Sequence, residues 1–197
     1  NKQSAGVLKE IRQAFLDEDK EKAAQLTRNN FNGLAAYEEK DETPFRFGSF
    51  TTMGELYVET GLNELRMSNY RRILSLDSAM VVVQFDKDGV QYQRKYFISY
   101  PDSVMVMKFT ANQSGIQNLI LSYCPNSEAK SNLRADGKDG LVYTGVLDNN
   151  GMKFAFRIKA IHKGGTLEAE NDRLIVKGAD EVVFLLTADT DYKMNFN

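Results

Sequence analysis

One cysteine, one histidine, three prolines and no tryptophan occur among 197 residues. A lone Cys124 cannot close an intramolecular disulfide, and with only His162 beside it no Cys/His zinc shell can form. Nucleophilic catalysis of the histidine-assisted kind would have to pass through His162 alone. The missing tryptophan removes the strongest stacking residue for a sugar ring. Charge of one sign is lacking too: 25 Lys+Arg against 27 Asp+Glu leave a net −2, which provides no overall field for a polyanion. Nucleic acid is therefore not an expected partner. No run of ~18 apolar residues could span a bilayer, so no membrane partner is expected, and no metal or other cofactor is implied. The chain opens at Asn1 without Met or a charged-then-apolar leader and stops at Asn197. It reads as a piece of a longer protein.

What is present fits one globular domain: 42% apolar and 26% charged residues, with a mean hydropathy of −0.43. A chain of this size buries roughly 70% of its unfolded surface and needs no disulfide or metal staple.

The first 31 residues differ in period from the rest. Val7, Leu8, Ile11, Ala14 and Phe15 recur at helical spacing behind Ser4, a candidate N-cap, and Ala23, Ala24 and Leu26 mark a second helix after Asp17-Glu18-Asp19. This predicts a helical hairpin over 4–31. Its mixed charge favours packing on a neighbour over DNA binding. Residues 32–52, with Pro44, Gly33, Gly48 and the run Glu38-Glu39-Lys40-Asp41-Glu42, read as loop.

From Gly54 onward, apolar and polar residues alternate between turn signals. Eleven strands are predicted: 55–59, 70–76, 79–85, 90–99, 104–110, 117–123, 141–147, 152–162, 166–170, 173–176 and 181–187. Asp86-Lys87-Asp88-Gly89, Asn149-Asn150-Gly151 and Asn171-Asp172 supply residues that tolerate the positive φ of tight turns. No helical pattern separates the strands, so the expected class is mainly β, an antiparallel β-sandwich behind a short N-terminal hairpin. Residues 126–140 read as the longest loop.

Among 27 acids, none are marked as a pocket-sharing pair of the kind glycosidases use. His162 shares its strand face with Phe154, Phe156, Ile158 and Ala160, which points to the inner sheet surface and a structural role; acid catalysis at a sugar oxygen is the alternative. Tyr92, Arg94 and Tyr96 form an aromatic-basic stripe. Such a stripe can stack on a sugar and donate to its hydroxyls, or serve as inner-sheet packing with Arg94 paired to a buried acid. Asn112-Gln113-Ser114 is a glycosylation sequon. Lys163-Gly164-Gly165-Thr166 opens no helix, so it reads as a hairpin turn rather than a phosphate loop.

The segment Gly54-Glu55-Leu56-Tyr57-Val58, then YRRILSLD (70–77), DGVQYQRKYFISYPDSVMVMKFTA (88–111) and GADEVVFLLTADTDYK (178–193) resembles the N-terminal domain of the α-L-fucosidases of glycoside hydrolase family 95. The helical opening IRQAFLDEDKEKAAQL (11–26) is similar to the helix pair of that family. The resemblance implies a β-supersandwich, periplasmic or extracellular in a bacterial parent, docked on an (α/α)6 barrel of the same polypeptide that carries an inverting hydrolysis. No stretch here matches that barrel, so no catalytic residue carries over and the fragment is expected to be inactive by itself. The chain also lacks the Gly/Asn-rich strands that precede the helix pair in that family. A sheet edge left open by them would favour pairing with a second copy. Two other readings stay open: a carbohydrate-binding sandwich acting through Tyr92, Arg94 and Tyr96, and a mutarotase-like catalyst built on His162.

Overall fold

A computed structural model describes residues 5–31, 52–63, 65–125, 129–148 and 151–193. The chain divides into two compact units, residues 1–49 and 50–197. In the first, a single 3-10 turn (Ala5–Val7) runs into α1 (Leu8–Leu16), and α2 (Lys20–Phe31) folds back on it. The turn between them works because Glu18 adopts φ 59° and the Asp19 carboxylate accepts the Lys22 N–H at 3.0 Å, capping α2. Ile11, Ala14 and Ala23 are buried, whereas Phe15 and Leu16 are exposed. The suggested cap Ser4, the loop reading of 32–51 and the turn residues Asn149-Asn150 lie outside the described residues.

The second unit is an antiparallel sandwich. One sheet has four strands in the order β1-β6-β11-β10, made from Gly54–Glu59 (β1), Gln117–Pro125 (β6), Thr166–Glu170 (β10) and Arg173–Ala179 (β11). The other has eight, in the order β2-β3-β4-β5-β12-β9-β8-β7. These are Met67–Ser75 (β2), Met80–Lys87 (β3), Val90–Ser99 (β4), Val104–Ala111 (β5), Ala129–Ala135 (β7), Gly140–Leu147 (β8), Lys153–Lys163 (β9) and Glu181–Thr190 (β12). All eleven predicted strands are present. The twelfth, β7, falls in the segment read as a loop. Its sequence AKSNLRA carries only a weak alternation, Ala129, Leu133 and Ala135 interrupted by Ser131, because it is an edge strand, half solvated, and its Lys130 and Arg134 blunt that edge.

The smaller sheet lies against β5, β8 and β9. Between the sheets, Leu119, Leu121, Leu141, Tyr143, Ile158, Leu174, Val182 and Phe184 are almost wholly buried. Registry shows where the cover stops. Leu74, Val81, Tyr96, Met107, Phe184 and Ala160 face one another in a row across the large sheet. Leu74 at its edge is 65% exposed, while Phe184 near its middle is 0% exposed. Ile98, on the same face two residues beyond Tyr96, is 70% exposed. The inner face of β2, β3 and β4 thus overhangs the smaller sheet.

Two turns do more than reverse the chain. Asp88 and Gly89, both with positive φ, form the two-residue hairpin expected between β3 and β4. Lys163-Gly164-Gly165-Thr166 corrects its reading as a hairpin. It carries the chain from β9 of the large sheet to β10 of the small one. Two successive left-handed glycines make that crossing, and a Cβ on Gly165 would collide with the backbone of Lys177 and Gly178.

Candidate functional site

β4 presents two chemically different faces, because successive strand residues point to opposite sides. Its even positions face the interior. Tyr92 is buried and stacks on Phe85, with ring centroids 5.1 Å apart and planes 13° from parallel. Tyr96 meets the edge of Phe109 at 6.1 Å. Arg94 lies over the Phe85 ring at 5.1 Å and the Phe109 ring at 5.9 Å, and it donates to the Tyr96 hydroxyl. The acid expected beside Arg94 is not its partner among the described residues; aromatic faces take that place. Burial raises the titration of Tyr96 above the ordinary tyrosine value, with Arg94 opposing it, and burial followed by the Asp88 charge raises that of Tyr92. The stripe is therefore brought together, but as part of the packing that joins two apolar clusters.

The odd positions of β4 face outward and line a groove of about 540 Å³ on the open face of the large sheet. Cross-strand register builds it from two rows. Arg71, Gln84, Gln93 and Thr110 align across β2, β3, β4 and β5. Beside them Asp86 pairs with Gln91, with Asn69 and Asn112 at the two ends. Asn69, in a left-handed conformation at a β2 bulge, donates to Asp86 Oδ2 at 2.6 Å. Asn112 Oδ1 accepts the Gln91 N–H at 2.9 Å, and the Asn112 N–H returns to the Gln91 carbonyl at 3.0 Å. The sequon asparagine is thus the rim of the groove. The side-chain amides of Gln84, Gln91 and Gln93 and the Arg71 guanidinium have no hydrogen-bond or ion-pair partner among the described residues. Sequence reading missed these residues because glutamines at odd strand positions look like ordinary solvated polar residues. Alternation of Gln91 and Gln93 with Tyr92 and Arg94 was the available signal.

His162 keeps the parity of Phe154, Phe156, Ile158 and Ala160 but is exposed, because β9 runs past the end of the core there. Its Nδ1 is 2.7 Å from the Gly164 carbonyl oxygen, so the ring braces the sheet-crossing turn. Among the described residues no three His, Cys, Asp or Glu side chains gather as a metal site, and no helix is long and apolar enough to cross a membrane.

Comparison with known proteins gives this sandwich its relatives. The family model described as "Glycosyl hydrolase family 65, N-terminal domain" matches residues 1–195. The chain belongs to this family. The chain is 28% identical over 163 residues to "Probable alpha-fucosidase A" of Aspergillus niger, covering 77% of its length and 19% of that protein. It is 23% identical over 167 residues to "Alpha-L-fucosidase 2" of Arabidopsis thaliana, covering 73% of the chain and 20% of that protein. The solved structure "Putative kojibiose phosphorylase from human microbiome" superposes with a TM-score of 0.49 and 10% identity, over 70% of this chain and 22% of that one. The chain therefore spans about a fifth of the length of these relatives. The expected N-terminal sandwich of a glycoside hydrolase is correct at that level, with family 65 as the family that matches.

Proposed function

We propose that this domain is the non-catalytic N-terminal part of an α-L-fucosidase-like glycoside hydrolase, docking on a separate catalytic portion, an (α/α)6 barrel, and helping to shape its substrate pocket. The observation that carries this reading is the match of residues 1–195 to an N-terminal domain model, with relatives named as fucosidases of which the matched stretch is 19% and 20%. The overhang supports it. Leu74 (65% exposed), Leu76 (83%), Ile98 (70%) and Tyr100 (93%) cluster on the uncovered inner face and its adjoining turns, the kind of apolar patch that marks an interaction surface. The periplasmic or extracellular setting belongs to the same proposal and rests on the fucosidase resemblance.

The test is an assay of the 197-residue chain on an aryl α-L-fucoside. No turnover is expected, and turnover that a single carboxylate substitution abolishes would refute the reading. A second reading, a sandwich that holds carbohydrate by itself, is favoured by one observation: the groove with its unpaired amides.

A further inference from the structure

The groove on the open face of β2–β5 is built mainly for hydrogen bonding. Most of its side chains are amides, with one guanidinium, one carboxylate and the Thr110 hydroxyl, and Tyr92 and Ala111 complete the lining. Arg71 and Asp86 bring opposite charges that do not pair with each other, and the second oxygen of Asp86 has no partner among the described residues. The site as a whole is near neutral and offers donors and acceptors side by side. That composition suits a ligand whose every position is both donor and acceptor, which is the character of a hydroxyl. An anion would meet the Asp86 carboxylate, a nucleobase would meet only Tyr92, whose ring is already stacked on Phe85, and an apolar ligand would leave the amides unpaired.

The spacing agrees. Neighbouring strands place successive polar groups about 4.8 Å apart, comparable with the width of a pyranose ring, over a volume within the usual range for small-molecule sites. An extended peptide would add to the free edge of β2 at the groove's border, whereas most of the polar groups, on Gln84, Gln91, Gln93 and Thr110, sit in strands whose backbone is already paired on both sides.

We infer that Arg71, Gln84, Asp86, Gln91 and Gln93 form a binding site for a neutral oligosaccharide, on the opposite face of β4 from the aromatic-basic stripe. The inference rests on the carbohydrate-binding reading given above. It does not depend on docking to a catalytic portion. With hydrogen bonds and glutamine methylenes as the main contacts, and the Tyr92 ring already stacked on Phe85, the expected affinity is weak, in the millimolar range.

The chain is made in bacteria so that Asn112 carries no glycan, and it is titrated with 2′-fucosyllactose and with lactose while side-chain and backbone amide NMR signals are followed. Saturable shifts are expected at the Gln84, Gln91 and Gln93 side-chain amides and at Arg71 Nε. Arg71→Ala and Gln93→Ala should each weaken the response about tenfold, and retained backbone dispersion shows that the variants are folded. A stronger response to 2′-fucosyllactose ties the site to the sugar in the relatives' names; an equal response keeps the site and broadens its class. No shift at millimolar sugar, shifts confined to the surroundings of Tyr96 and Ile98, or saturation by a polar peptide and not by sugar would overturn the inference. None of these outcomes bears on docking, which fails or stands on its own measurement.

Discussion

Arg94 shows how a residue type suggestive of recognition can be held by structure alone. Its guanidinium lies over the buried rings of Phe85 and Phe109. Arg94→Ala should lower unfolding free energy by about 2 kcal/mol, read as a urea midpoint shift at constant slope. A shift equivalent to less than about 0.5 kcal/mol would remove the packing role. Tyr123 makes a prediction about pH. Its hydroxyl donates to the Met53 carbonyl, and burial, then the neighbouring Tyr143 hydroxyl, push its titration well above the ordinary value of 10.0. The folded state therefore favours the neutral phenol. That contribution is complete below the unfolded value of about 10 and declines as pH rises above it, since the unfolded chain releases its proton first. Stability should fall between about pH 10 and 12, and Tyr123→Phe, though less stable at neutral pH, should flatten that fall. Chemical denaturation across this pH range checks both. The stripe of Tyr92, Arg94 and Tyr96 was legible in the sequence, but not what it touches: alternation gives parity, while partner identity depends on which strand lies alongside.

At the scale of elements, alternation recovered eleven strands because most bury one face, as in β9, where Phe154, Phe156, Ile158 and Ala160 are buried between exposed or half-buried neighbours. It failed at β7, where an edge strand turns only Ala129 and Leu133 to the core, and at the Gly164-Gly165 crossing, where the same residues serve a hairpin or a change of sheet. Which strands pair across long separations, such as β5 with β12, is not written in local pattern at all. The hidden strand should be the weakest. Amide hydrogen exchange should show β7 protected but exchanging much faster than β9 and β12, which are paired on both sides. Protection of β7 equal to that of β12 would contradict its place at the edge.

At the scale of the whole sandwich, the unequal sheets are the feature on which the proposed docking rests. Eight strands against four leave part of one inner face without cover, and its aliphatic side chains rise from buried at β12 to largely exposed at β2. The same strands carry the polar groove on their other side, so a partner on the overhang leaves the groove open. The most direct measurement is calorimetric titration of this domain with the catalytic portion of its own parent chain, repeated with Leu74→Asp and Ile98→Asp. Saturable binding with a negative heat-capacity change, weakened at least about a hundredfold by the paired substitutions, is the predicted result. No association, or association that these substitutions leave unchanged, would contradict the account.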